Sequence, residues 1–220
     1  AGERVVGASL AFGQLVESEF IGHVADGRGA IDEPAAVGAR HNRAISGRIA
    51  PRNALVFAIT LEVVAFFFLW ATVNLLSAVL AVSACLFYVF VYTLWLKRTS
   101  SRNIVIGGAA GAAPVLIGWS AVTNSLAWAP VVLFAVIFYW TPPHFWALAI
   151  RYRDDYAKVD VPMLPVVASL RTTATRILGY TLLLWALTIL FAPVAGMGHL
   201  YLGAALVLGA VFTWFAVRLL

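Results

Sequence analysis

Polar and apolar positions in this chain fall into long blocks rather than into the short periods of amphipathic helices or strands. From residue 53 onward, continuous apolar runs cover 53–72, 75–96, 104–122, 128–150, 175–194 and 199–217. Each is close to the ~20 residues that carry a helix across a hydrocarbon core. Lipid offers backbone N–H and C=O groups no partner, so a spanning segment must be a helix or part of a closed barrel. Unbroken apolar runs without alternating polarity select helices. The pattern predicts six spans. Residues 1–24 are apolar only in part and carry Glu3, Arg4, Glu17, Glu19 and His23. A seventh helix there would have to turn those groups toward a cavity or a partner helix. An irregular segment is the alternative. Residues 25–52 read as a polar loop.

Composition then excludes a soluble domain. The 220 residues are 62% hydrophobic and 11% charged, with a mean hydropathy of +0.91, where soluble domains carry roughly a quarter charged residues. The single cysteine, Cys85, lies in an apolar run, so neither a disulfide framework nor a thiolate metal site is available. A pI near 9.7 raises the question of nucleic acid, but the placement of the cations answers it. Arg28, Arg40, Arg43, Arg48 and Arg52 share one polar segment; Lys97, Arg98 and Arg102 a second; Arg151, Arg153, Lys158, Arg171 and Arg176 a third. The intervening loops at 72–75, 123–127 and 196–199 carry none. Every second loop is basic, which places all three basic segments in the cytoplasm. The basic balance is a topology signal and calls for no nucleic-acid partner. No cleavable signal peptide is visible. Ala1 in place of a Met, and Leu220 inside an apolar run, lead us to expect a truncated chain.

Candidate chemistry gathers after the fourth span. Tyr139-Trp-Thr-Pro-Pro-His-Phe-Trp-Ala-Leu-Ala-Ile150 predicts an apolar helix broken at Pro142-Pro143, carrying His144 and two tryptophans to a polar boundary. Beyond it Asp154, Asp155 and Asp160 are interleaved with Arg151, Arg153 and Lys158. These carboxylates suit Mg²⁺, which takes one or two of them together with substrate phosphates. Lys97, Arg98, Arg151 and Lys158 would then neutralise a diphosphate leaving group. A solvated loop whose charges fix topology is the bland alternative. His144 precedes Tyr152 by ~12 Å of helix at 1.5 Å per residue. It is either an iron ligand, base or acid, or an interfacial histidine bonded to a neighbour. Glu62 stands mid-span between Leu61 and Val63; an intramembrane carboxyl is a functional candidate and equally a protonated packing residue. Ile106-Gly-Gly-Ala-Ala-Gly-Ala-Ala-Pro114 opens a span with small residues that let helices approach closely. It lacks the phosphate-loop pattern. Trp70, Trp95, Trp119, Trp128 and Trp140 read mostly as interface anchors.

Three stretches taken together resemble a known family. They are Tyr92-Thr-Leu-Trp-Leu-Lys-Arg-Thr-Ser-Ser-Arg-Asn-Ile-Val-Ile-Gly-Gly-Ala-Ala-Gly-Ala-Ala-Pro114, Trp140-Thr-Pro-Pro-His-Phe-Trp-Ala-Leu-Ala149, and Asp154-Asp-Tyr156 with Val161-Pro-Met-Leu-Pro165. They resemble the protohaem IX farnesyltransferases, or haem O synthases, of the intramembrane aromatic prenyltransferase superfamily, over about residues 43–218. The resemblance implies an all-α, polytopic bundle around a lateral cavity, nine helices in the full protein and six or seven here. It implies one membrane-embedded domain over 1–220, with 1–42 matching poorly. The implied reaction ionises farnesyl diphosphate with Mg²⁺ and adds the farnesyl group to a haem B vinyl group, water completing a hydroxyethylfarnesyl side chain.

By position, Asp154 and Asp155 match the second acidic motif and would bind Mg²⁺ and diphosphate. Lys97, Arg98 and Asn103 match the Leu-Lys-Arg…Asn motif, with Lys158 also on the diphosphate side. His144 matches the histidine of Pro-Pro-His-Phe-Trp, a haem-contacting candidate counted with Asp154 and Asp155 as catalytic. Arg43 and Ser46-Gly47-Arg48 match the tail of the first acidic motif. Upstream the register gives Asp26, Ala30 and Pro34, with Asp32 and Glu33 displaced, so the first metal site is missing from this stretch. The implied setting is the bacterial cytoplasmic membrane, with haem A synthase or oxidase assembly proteins as companions. A sister enzyme prenylating an aromatic acid or quinone ring is the nearest alternative. A transporter is the other, against which the one-sided charge and the lack of an inverted repeat argue.

The topology is testable directly. Cysteine probes at Asn124 and Gly198 should label from the non-cytoplasmic side only, and probes at Ser100 and Thr172 from the cytoplasm only. Labelling of Ser100 and Asn124 from one side would refute the charge-based map.

Overall fold

A computed structural model describes residues 51–158 and 162–220. Arg43, Arg48, Asp160 and the possible helix at 1–24 lie outside these residues. Helix α1 runs Pro51–Thr72, and α2 runs Leu75–Leu86. The second span continues from α2 as a π-helical stretch Phe87–Leu96 and closes with a turn at Lys97–Thr99. Then come α3 (Asn103–Thr123), α4 (Trp128–Arg151), two short helices α5 (Arg153–Lys158) and α6 (Leu164–Val167), α7 (Leu170–Val194) and α8 (His199–Val217). Six of these segments are long and apolar enough to cross a membrane. No strand occurs among the described residues. The chain is a multi-pass, all-α membrane protein.

Each long helix packs on its neighbour in sequence: α1 on α2, α2 on α3, α3 on α4, α4 on α7, and α7 on α8. Among the described residues α8 does not touch α1. The helices form an open row, and the lateral cavity implied by the resemblance is not closed by the described residues. Outward faces are strongly apolar, with Trp128 at 78% and Leu200 at 90% exposure, as lipid contact requires. Trp70, Trp95 and Trp119 are exposed near helix ends, whereas Trp140 is exposed inside α4.

Three local features differ from the sequence reading. The expected break at Pro142-Pro143 is absent: α4 is continuous through both rings. Two missing N–H groups free the carbonyls of Phe138 and Tyr139, but both prolines are fully buried, and packing outweighs two lost bonds. The fifth span starts at Leu170, five residues before the apolar run. Ser169 caps it by accepting from the Thr172 amide at 3.2 Å, so its polar first turn is helical although hydropathy cannot see it. The second span is α-helical only as far as Leu86; its π-helical half was not expected, and such stretches are rare.

The small-residue opening of α3 is what packs the row. Gly107 lies under the Tyr92 ring of the π-helical stretch, and Gly108 lies against Thr141 of α4. Ala110 and Ala112 are buried. At the opposite end of α3, Ser120 ties α2 in: Asn74 Nδ2 donates to the Ser120 carbonyl at 2.7 Å, and the Ser77 and Ser120 hydroxyls meet at 2.8 Å. Inter-helix bonds of this kind contribute about 0.6 kcal/mol each in membranes, so close packing dominates.

A Cβ at Gly107 would sit 2.3 Å from Tyr92 Cδ2, whereas at Gly111 it would meet nothing within 4 Å. Gly107→Ala should therefore destabilise the purified protein by about 1–3 kcal/mol, the usual cost of overpacking. Gly111→Ala should be near neutral. Thermal melts of the two variants in detergent check this; equal melting would refute the packing of α3 on Tyr92.

Candidate active site

Up-and-down connectivity brings the loop 97–103 and the segments 152–158 and 162–169 to the same end of the helices. Their meeting point is the start of α3. Ile104, Ala149 of α4 and Met163 form one buried cluster, with Tyr156 of α5 and Val166 of α6 packed against it. Ile104 thus fastens the acidic segment to the bundle. Beside it, Leu164 packs with Trp146, Ile177 and Ala216, which seats α6 between α4 and α7.

The basic turn is fastened from the same place. The π-helical stretch ends with the Lys97 amide donating to the Tyr92 carbonyl, a five-residue spacing that carries the Lys97–Thr99 turn beyond the apolar run. Ser100 N donates to the Leu96 carbonyl and Asn103 N to the Ser100 carbonyl, both at 3.1 Å. Asn103 is 1% exposed; its Nδ2 donates to the Lys97 carbonyl at 3.1 Å and its Oδ1 accepts from Ile104 N at 2.6 Å. The asparagine grouped with the diphosphate ligands is therefore occupied by backbone.

The other candidates are placed as follows. Asp154 lies exposed on α5, and Lys97 is half-buried at the end of the π-helical stretch. Asp155 and Lys158 share α5 with Asp154, and Arg98 shares the turn with Lys97; only their backbone positions are described. Arg151 ends α4 with its guanidinium 5.9 Å from the Tyr152 ring centre. These residues are brought to the same end of the helices. Glu62 is not: it lies mid-span on α1, facing α2, where the Cys85 thiol hydrogen-bonds its carboxyl. Its Oε2 is buried without a hydrogen bond among the described residues.

His144 stands apart from the buried stripe of α4. Pro142, Pro143, Trp146 and Ala149 form that stripe, while His144 is exposed on the other face. Its ring stacks on Trp140 at 4.3 Å and meets Phe145 edge-on at 5.4 Å. Arg151, seven residues on, shares its face ~10 Å nearer the charged end. Trp140 also lines an apolar cleft of about 400 Å³ between α4, α7 and α8, with Trp185, Tyr201 and Phe212. An aromatic, apolar surface therefore lies about two turns from the charges.

Tyr92 and Tyr156 are the residues that sequence reasoning passed over. The Tyr92 ring lies 5.2 Å from the Tyr88 ring, tilted by 37°, and within electrostatic reach of Tyr156. The signal was present in the even spacing of Tyr88 and Tyr92 beside Gly107, but the π-helical register that joins them has no hydropathy signature.

The donor chemistry of this end suits a hard cation. No group of three or more His, Cys, Asp or Glu side chains that could hold a metal occurs among the described residues. A metal here would depend on the carboxylates of α5 and on oxygen atoms brought by a ligand, which is the manner of Mg²⁺.

Fold and site together define a multi-pass membrane protein with a cationic, carboxylate-bearing end set against an apolar aromatic surface. The chain belongs to the UbiA prenyltransferase family, whose model matches residues 31–220. Its curated relatives include proteins named protoheme IX farnesyltransferase from three bacteria. That of Synechococcus sp. (strain JA-2-3B'a(2-13)) is 56% identical over 182 residues, 82% of this chain and 55% of the relative. That of Parafrankia sp. (strain EAN1pec) is 57% identical over 171 residues, 78% of this chain and 55% of the relative. That of Nostoc sp. (strain PCC 7120 / SAG 25.82 / UTEX 2576) is 53% identical over 182 residues, 82% and 57%. The chain thus spans little more than half the length of these relatives. No solved structure matches it.

Proposed function

We propose that this chain forms the larger part of a single membrane-embedded prenyl-transfer domain, which moves the farnesyl group of farnesyl diphosphate onto a vinyl group of haem B. The carrying observation is the identity above 50% to relatives so named. The convergence of Lys97, Arg98, Asp154 and Asp155 on one end supports it. The stepwise roles follow from charge and depth. Asp154 and Asp155 would hold Mg²⁺ against the diphosphate. When bound, the ion draws electron density from the bridging oxygen and stabilises the departing pyrophosphate. Lys97, Arg98 and Lys158 add positive charge around the same leaving group. As the C1–O bond breaks, the pair of electrons leaves with pyrophosphate. The vinyl carbon then bonds to farnesyl C1, and water supplies the hydroxyl while its second proton is released.

His144 and Trp140 form the flat aromatic surface two turns deeper, suited to one face of a porphyrin whose propionates point toward Arg151 and the charged end. Holding the two reactants in fixed register supplies several kcal/mol of the barrier. The charged end is cytoplasmic in this reading, in a bacterial inner membrane, where water-soluble pyrophosphate can escape.

The deciding experiment incubates the full-length protein with haem B, farnesyl diphosphate and Mg²⁺, and weighs the extracted pigment. The reading requires a gain of one farnesyl group and one hydroxyl; an unchanged pigment, or prenylation of an aromatic acid instead, overturns it. Asp155→Asn should cut farnesyl transfer by at least about tenfold with haem binding retained, and normal turnover by the double Asn variant at Asp154 and Asp155 would remove the metal assignment. His144→Ala should alter the haem Soret band and weaken haem binding with farnesyl diphosphate affinity nearly intact. An unchanged spectrum would return His144 to an interfacial histidine stacked on Trp140.

A further inference from the structure

Two adjacent residues at the start of α3 hold both charged segments. Ile104 packs against Ala149, Met163 and Tyr156, the apolar underside of the acidic segment. Asn103 reaches back across the loop and binds the Lys97 carbonyl. The loop between them is closed by short backbone bonds within Leu96–Asn103, and the Asn103 amide spans it from end to end. An asparagine amide has two N–H donors and one carbonyl. Here one donor and the carbonyl are already used. With the side chain 1% exposed, no face remains for a ligand arriving from water.

We propose that Asn103 is a positioning residue for diphosphate: it makes no contact with the ligand but fixes the Lys97 segment relative to α5 through the Lys97 carbonyl. The inference rests on the prenyl-diphosphate reading and refines one part of it. A part-buried carbonyl at a helix end that loses a hydrogen bond is destabilised. Removing the amide would therefore let the turn move until that carbonyl finds another donor. Lys97 would move with it, while α5, held through Ile104, would stay.

A double-mutant cycle separates this from direct ligation, because residues acting through one another are non-additive and independent contacts add. The probe is inorganic pyrophosphate with Mg²⁺, titrated calorimetrically into the full-length protein, with the bound-haem spectrum recorded for each variant as a measure of the intact fold. Lys97→Ala should weaken binding by about tenfold or more, as for a lost charged hydrogen bond. Asn103→Ala should weaken it by about three- to tenfold, and the double variant should match Lys97→Ala within about twofold. Multiplying penalties would make Asn103 a direct ligand and overturn the proposal, as would a Lys97→Ala variant that binds normally. Failure of the unaltered protein to bind pyrophosphate would overturn the prenyl-diphosphate reading itself, and the proposal with it. If Asn103→Ala does not purify folded, Asn103→Ser, which keeps a hydroxyl to accept from Ile104 N–H, takes its place in the cycle: a double variant matching Lys97→Ala supports the proposal, and multiplying penalties overturn it.

Discussion

In a hydrocarbon medium a backbone N–H or C=O without a partner costs several kcal/mol, and the rest of this structure follows from avoiding that cost. It forces the six apolar runs into helices. The separate cost of a charge in hydrocarbon confines most charge to the ends of those helices, and because the chain passes up and down, alternate loops collect at the same end. The backbone cost also explains why α4 stays helical through two prolines: buried packing of both rings is a better solution than an opened turn in lipid. The cationic and acidic segments meet because the helices they terminate are adjacent in the row.

Close approach of the helices then sets where the charges stand. Without a hydrophobic drive between helices in lipid, packing depends on surfaces that fit closely. Gly107 and Gly108 let the π-helical stretch and α4 come against α3. That contact aligns the end of the second span with the end of the fourth. The Lys97 turn and the α5 helix are anchored to α3 within two residues of each other. An end assembled in this way concentrates positive charge and carboxylates where a diphosphate and its metal would be handled, while the Trp140–His144 stack offers an apolar surface below it. The proposed prenyl transfer would need both environments, since one substrate would have a charged head on an apolar tail and the other would be a flat ring with anionic edges.

The span boundaries were legible in the sequence almost to the residue, because burial in lipid depends on composition over ~20 positions. Leu170 was the exception, since a capped polar turn carries no hydropathy. The packing role of Gly107 and Gly108 was legible for the same compositional reason. The site was legible as residue types but not as roles. Asp154 and Lys97 reach one end, as their loop parity implied, yet the bonds of the Asn103 amide to the Lys97 carbonyl and the Ile104 amide showed only in the structure. The π-helical register and the Tyr92–Tyr156 proximity were hidden, because a change from four- to five-residue bonding leaves composition untouched. His144 lies outside the buried stripe of α4, which a broken helix would not have implied.

The central claim is that this end of the bundle is a metal–diphosphate site built on α5. It is tested most directly by placing Mn²⁺ in the full-length protein in place of Mg²⁺, adding inorganic pyrophosphate, and recording pulsed electron–nuclear double resonance at phosphorus. The account predicts a manganese–phosphorus coupling in the unaltered protein that disappears when Asp154 and Asp155 are both replaced by Asn. A coupling that persists in that variant, or no bound manganese in the unaltered protein, would contradict it.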